Sequence, residues 1–401
     1  MHSRILATRE LADKHTGENI RSTVTEILEE FGALRPGNTY VTDNAANMKL
    51  AMRQYSWLGC AGHKVNLVLA HGLKEQGDGC DDDSMQGISQ LIKVCKGIVS
   101  HVKRTRIQSK LETTLKQAVP TRWNSILTML QSVLCNAEEL KKLADEFGDR
   151  TLQRSLLDMN VDLLKHVVAV LQHFDTATRM LSTDRTPSLH LVCPTKKQLT
   201  KKLKPEAGDC AAVADMKSQL SSKLNDLFAV KPLHHLATLL DPRLKAGVLS
   251  NEERSDAVAA LRKLADEVQL VDPSCSNEDA SSEPSAKRRK VNEKSTSESD
   301  FFDDLFQSTE AVAVDEVDSY LSSTDSVSDV LSFWKAKEAT WPKLAHCARW
   351  VLSVPATSTS SERVFSAAGR TLDDRRSQLK PETVDGLLFL HGLSGRQSMQ
   401  E

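Results

Sequence analysis

Apolar residues recur at helical spacing along most of this chain and give way to strand-like runs only near its start. Between Asn19 and Phe31, the residues Ile20, Val24, Ile27, Leu28 and Phe31 share one helical face, with Thr16 placed to cap the helix and Gly32 just past its end. A turn at Arg35-Pro36-Gly37 leads into Thr39-Tyr40-Val41-Thr42, a β-branched and aromatic run that stops at Asp43-Asn44 and predicts a strand. Ala45 to Arg53 can turn helical, Leu58-Gly59-Cys60 predicts a second short strand, and Val65, Val68, Leu69 and Leu73 mark the helix after it. Residues 4–9 are expected to add a third strand at the chain's edge. Residues 1–80 therefore predict an α/β part.

From 85 to 271 the spacing is almost wholly helical, as in Ile88, Leu91, Ile92, Cys95, Val99 and again in Leu164, Val167, Val168, Leu171. Aromatic residues are only 4% of the chain, so this all-α region must pack largely with aliphatic side chains. Residues 272–325 change in kind, with Ser, Asp and Glu dominant, and predict a disordered acidic linker. From 326 to 401 helices are expected at 327–339, 343–352, 360–369 and 381–392, with a break at Pro355-Ala356-Thr357. No internal repeat is apparent.

Composition narrows the classes. No apolar run approaches the ~20 residues of a membrane helix, and the first residues carry charges where a secretory signal would be apolar, so neither a membrane partner nor export is expected. Eight cysteines stand singly, without the paired spacing of a zinc ribbon or a disulfide scaffold, which fits a reducing compartment. The formal net charge of −2 hides basic blocks at 103–106, 195–204 and 287–290, so any nucleic-acid contact must be local.

Six segments stand out as candidates for chemistry or binding. Asp43 lies outside the carboxyl end of a strand, where open α/β sheets place functional groups, although an Asp there also serves as a helix cap. Cys60 and His63 have the spacing of half a zinc site; with no second pair at hand, a buried thiol and a hydrogen-bonded imidazole bracing a cleft is the preferred reading. Arg122 and Trp123, at the start of a predicted helix, offer a guanidinium for a phosphate and an indole for an unpaired base, against the plainer reading of a core Trp. Lys287, Arg288, Arg289 and Lys290 form a basic block inside an acidic tract, as a nuclear-import signal requires. Glu362 sits in the first turn of a predicted helix, where a carboxylate favours the dipole. The acidic, Phe-rich stretch 299–306 suits either a partner or a contact with its own chain.

Taken in order, VTDNAANM (41–48), CAGHKVNL (60–67), PTRWNS (120–125) and the long block from Pro355 to Leu393 resemble the hAT superfamily of transposases, of the type that carries BED zinc fingers. Leu239-Leu240-Asp241-Pro242-Arg243-Leu244-Lys245 also looks like a segment of that family. The resemblance implies an α/β, predominantly α-helical fold: a ribonuclease-H-like domain, truncated here, split by the all-helical insertion and completed by a helical C-terminal dimerisation region. Its chemistry is two-metal phosphoryl transfer, with three carboxylates holding Mg²⁺. By resemblance Asp43 and Glu362 are the second and third of these, Arg122 and Trp123 handle the cut DNA end, and Cys60 and His63 support the cleft.

The first carboxylate of the family, in a segment like Asp-Gly-Trp, has no counterpart before Arg9, and neither does a BED finger. The leading expectation is a transposase-derived nuclear protein, not an enzyme, that self-associates as a homodimer or higher oligomer through Phe365, Leu387, Leu388, Phe389 and Leu390. One alternative is a fragment of an active, Mg²⁺-dependent transposase with DNA as partner. Another is a recruited transcription regulator or a SUMO-ligase-like protein.

Overall fold

The computed structural model describes residues 4–73, 83–119, 123–269, 315–371 and 379–394, apart from positions 12, 246 and 326. The chain opens with helix α1 (Gly17–Glu30), strand β1 (Thr39–Thr42), helix α2 (Ala46–Ala51) and strand β2 (Ser56–Gly59). Thr16 caps α1 by accepting from the Asn19 amide at 3.3 Å, and Gly32 adopts the left-handed conformation at φ 57°, which suits glycine just past a helix. The strands pair in parallel, from Thr39 opposite Ser56 to Thr42 opposite Gly59. A small core of Ile20, Ala51 and Met52 fastens α1 and α2 to this ribbon.

Residues 4–9, expected as a third strand, form no ladder; among the described residues the sheet has two strands. In their place Thr8 donates its amide to Asp385 Oδ1 at 2.6 Å, a contact with the other end of the chain. Side-chain preference for the extended state does not make a strand without a partner edge.

Two larger cores account for the helices. The first gathers α3 (Ala61–Gly72), α4 (Asp83–Arg104), α5 (Trp123–Cys135), α6 (Ala137–Glu146), α7 (Arg150–Asp158), α8 (Val161–Leu181), α9 (Val192–Lys202) and α10 (Ala211–Leu227). It is aliphatic, as expected: α8 alone buries Leu164, Val167, Val168, Val170, Leu171 and Leu181, with Phe174 its one aromatic contribution. The second gathers α11 (Pro232–Leu239), α12 (Asn251–Glu267), α13 (Glu316–Ser322), α14 (Val330–Ala336) and α15 (Pro342–Ser353). The expected bundle at 85–271 is thus shared between two cores, its last two helices packing with the C-terminal ones. Finally α16 (Thr359–Thr371) and α17 (Pro381–Ser394) pair through Val364, Ala368, Val384 and Leu388.

The expected linker also ends earlier than its composition implied. Residues 315–325 include α13, whose Val317 and Tyr320 are buried in the second core. Tyr320 lies 5.0 Å from Trp334 and 5.7 Å from Trp341 between ring centroids, and its hydroxyl donates to the Leu239 carbonyl at 2.7 Å. An acidic sequence here is held by partners far away in the chain.

Candidate functional site at the start of helix α3

The first two turns of α3 collect the four separated motifs. Cys60 precedes the helix as its cap, and the backbone around it is fully engaged. Its amide donates to the Thr42 carbonyl at 2.7 Å, continuing the strand pairing to the residue before Asp43. Its carbonyl accepts from Asn44 Nδ2 at 3.2 Å, and its Sγ accepts from the amides of His63 and Ser358, both at 3.4 Å. Ala61 adds an amide bond to the Ala356 carbonyl at 2.9 Å. One residue therefore ties the end of β1, where Asp43 stands, through its backbone to the start of α16, where Glu362 stands, through its thiol. Trp123, at the head of α5, donates its indole N–H to Asn66 Oδ1 on the same helix.

Two glycines permit this convergence. A Cβ on Gly59 would lie 2.0 Å from Asn44 Oδ1, and one on Gly62 would lie 3.3 Å from Thr357 Cγ2. Position 59 has no room for a larger residue, and position 62 has little.

Asp43 is half-buried and does not cap α2; its Oδ1 accepts from the Ala45 amide at 3.2 Å in a local turn, while Ala45 occupies the cap without a side-chain bond. Glu362 is exposed in the first turn of α16, as the dipole reading requires. The preceding segment is anchored by Ala356, whose amide donates to Ser188 Oγ at 3.0 Å, and the following one by Arg363, which pairs with Asp184. Trp123 is half-buried against the first core and hydrogen-bonded at its polar edge. Arg122, the import block Lys287, Arg288, Arg289 and Lys290, and the stretch 299–306 lie outside the described residues.

Behind the cleft the charge is positive. Lys64, 7% exposed, donates Nζ to the Ala229 carbonyl at 2.8 Å; burial, with repulsion from Lys231, lowers its pKa to about 8. Lys231 donates to the Trp57 carbonyl at 2.7 Å and lies over that indole at 4.5 Å, and burial holds the neighbouring His234 neutral, with a pKa near 3. Asp43 and Glu362 are the hard oxygen donors that Mg²⁺ prefers. Among the described residues no three His, Cys, Asp or Glu side chains are grouped to hold a metal ion.

The C-terminal surface is separate from this cleft. Leu387, Leu388, Phe389 and Leu390 are consecutive and so encircle α17. Only Leu388 is buried against α16, at 3% exposure; Leu387, Phe389 and Leu390 are exposed at 43%, 41% and 60%, beside Phe365 at 62%.

The segment 239–245 has a role that its sequence did not reveal. Leu239 and Leu240 present carbonyls to the Tyr320 hydroxyl and to the Trp334 indole (2.8 Å), Asp241 is fully buried and held by Arg243 at 2.7 Å, and Lys245 donates to Tyr320 O and Ser323 O, both at 2.6 Å. It clamps α11 to α13 and α14. Two carbonyl-directed aromatic donors and a buried lysine have no periodicity to announce them.

Comparison with known proteins agrees with this assembly. Residues 316–393 match the hAT family C-terminal dimerisation region, which begins at α13 and not at the expected 326. Zinc finger protein 618 of Mus musculus is 26% identical over 392 residues, covering 97% of this chain and 39% of that protein. Hobo transposase of Drosophila melanogaster is 29% identical over 216 residues (54% of this chain, 31% of that protein), and the putative AC transposase of Zea mays 23% over 443 (97% and 52%). The chain thus spans between about a third and a half of these relatives. With residues 316–393 matched to that region and its other motifs converging on the start of α3, the chain is similar to hAT-type transposases and their relatives.

Proposed function

We propose that this chain is a self-associating, transposase-derived protein whose contact surface is the outer face of α16 and α17. The observation that carries the proposal is the apolar encirclement of α17. A helix apolar on all sides is stable in water only when covered on all sides, and α16 covers one. The match to a dimerisation region supports the same surface. Nuclear residence through Lys287–Lys290 belongs to this reading. Light scattering over a concentration series tests it: a mass of twice the 44.3 kDa chain or more is expected, and a monomer at all concentrations to ~100 μM, far above the Kd of a stable interface, would sink it.

A second reading is favoured by the convergence on α3. Asp43, Glu362 and Trp123 are attached to the three segments that Cys60, Ala61 and Asn66 hold together, as a DNA-cleaving centre of DDE type would require, with the ribonuclease-H-like core formed around β1 and β2. Two carboxylates do not complete a metal pair, so no catalytic step is assigned to this chain alone. Mg²⁺-dependent nicking of duplex DNA that disappears in Asp43→Asn would establish the second reading.

A further inference from the structure

A cleft of about 1470 Å³ opens between α8, α9 and the turn at 243–249, sharing no lining residue with the α3 junction. Six cations line it: Lys196, Lys197, Lys201, Lys202, Lys204 and Arg243. Among its lining residues there is one carboxylate, Glu253, and it is already engaged by the Ser250 amide at 2.8 Å and faces His235 at 3.5 Å. This concentration stands out in a chain of net charge −2.

Five of the six cations divide into two kinds. Lys197 donates to the carbonyls of Gly247 (2.8 Å) and Val248 (3.1 Å), and Arg243 is committed to Asp241, so these two build the wall. Lys201, Lys202 and Lys204 are exposed, and none of the three side chains forms a hydrogen bond or ion pair with another described residue. Some lysines elsewhere find carboxylates, as in Lys141–Glu138, Lys165–Asp162 and Lys337–Asp325. Compensation of the α9 dipole accounts for Lys201 and Lys202 in the last turn, but not for Lys204 beyond it or for the concave wall.

Cations of one sign around a concavity focus the field and call for a polyanion. Lysine heads are point charges on flexible stems and do not select a planar carboxylate as a free Arg fork would. Lys196 to Lys204 spans ~12 Å at helical rise, over which one strand of a duplex carries three or four phosphates. No Phe, Tyr or Trp lines the cleft, so it offers no platform for stacking unpaired bases. We infer that this cleft binds the phosphate backbone of duplex nucleic acid without reading its sequence. The inference is independent of self-association, since none of the lining residues belongs to α16 or α17.

The test is fluorescence anisotropy of the full chain with a labelled 25-base-pair duplex of arbitrary sequence, between 50 and 200 mM salt. The variant Lys201→Gln/Lys202→Gln/Lys204→Gln changes only exposed side chains, and Lys110→Gln/Lys142→Gln/Lys263→Gln removes the same charge from outside the cleft. We expect the slope of log affinity against log salt to become shallower by ~2.7 in the first variant, at ~0.9 per lost phosphate contact, and to stay at the wild-type value in the second. Equal slopes in the wild type and the cleft variant, equal losses in both variants, or no binding by the wild type would overturn the inference. So would displacement of the duplex by poly-L-glutamate as readily as by unlabelled duplex, which would assign the cleft to an acidic protein partner.

Discussion

Changing Phe389 and Leu390 to Ser should convert the self-associated form to monomer without unfolding the chain. The two side chains are 41% and 60% exposed, so together they present about one full apolar side chain for burial by a partner. Full burial of such a residue contributes roughly 1.5–3 kcal/mol. In a twofold interface each change counts twice, giving ~3–6 kcal/mol and a Kd weaker by ~10²–10⁴. The rotational and translational cost of association is common to both proteins and cancels in the difference. The chain should stay folded, because Val384, Ala368 and Leu388 still join α17 to α16. Leu388→Ser is the contrasting case: it removes a 3% exposed side chain from that contact and should cost ~2–5 kcal/mol in local stability. Sedimentation velocity from 0.1 to 100 μM, with circular dichroism on the same samples, separates the two. If the double variant has the wild-type dimer's mass at every concentration, the exposed face of α17 is not the interface.

Three further perturbations address the interior. Lys245→Met takes a charged donor from the Tyr320 and Ser323 carbonyls and should lower unfolding stability by ~1.5–3 kcal/mol in urea melts, whereas a loss below ~0.5 kcal/mol would deny the clamp. Lys64, with its pKa lowered to about 8, is less protonated folded than unfolded between pH 8 and 10.5, so stability should rise with pH through that window, by roughly 3 kcal/mol, and the cost should be fully present below it. Urea melts of Lys64→Met should lack that rise; an identical pH profile would place the titration elsewhere. Cys60→Ala removes the acceptor of the His63 and Ser358 amides and should cost ~1 kcal/mol, with faster hydrogen exchange at Ser358; unchanged exchange there would mean that the thiol does not hold α16.

Much of the fold was legible because local signals and burial agree. The face of Ile20, the Thr16 cap and the Gly32 terminator are properties of one short segment, and α8 announces itself by spacing alone. The failures lie where distant partners decide. Residues 4–9 have strand-like composition but pair with neither strand of the sheet, and α13 has an acidic sequence whose Val317 and Tyr320 become core residues only when Leu239, Trp334 and Trp341 surround them. The site divides in the same way. Cys60 could be read as a buried bracing thiol, but its second acceptor role is for the amide of Ser358, 298 residues away, which no local spacing encodes. The lysines of α9 were visible as a basic block; that they line a cleft depends on α8 and on the turn after Lys245.

Two junctions explain how so divided a sequence makes one body. At the start of α3, backbone amides and one sulfur join the strand pair to α16, and glycine at 59 and 62 allows the approach. At 239–245, carbonyls exposed by the end of α11 receive the Tyr320 and Trp334 donors, while Lys245 accounts for carbonyls at the end of α13. Each junction satisfies polar backbone that would otherwise be buried unpaired, at ~1–3 kcal/mol per group. Neither depends on the carboxylate of Asp43 or Glu362. A descendant of a transposase could therefore change Asp43 or Glu362 and keep its fold and its C-terminal surface. A change at Gly59 or Lys245 would break a junction first. On this reasoning Asp43→Asn and Glu362→Gln together should leave thermal stability within ~0.5 kcal/mol of wild type, as surface substitutions do, and a larger loss would mean that the carboxylates also hold the junction together.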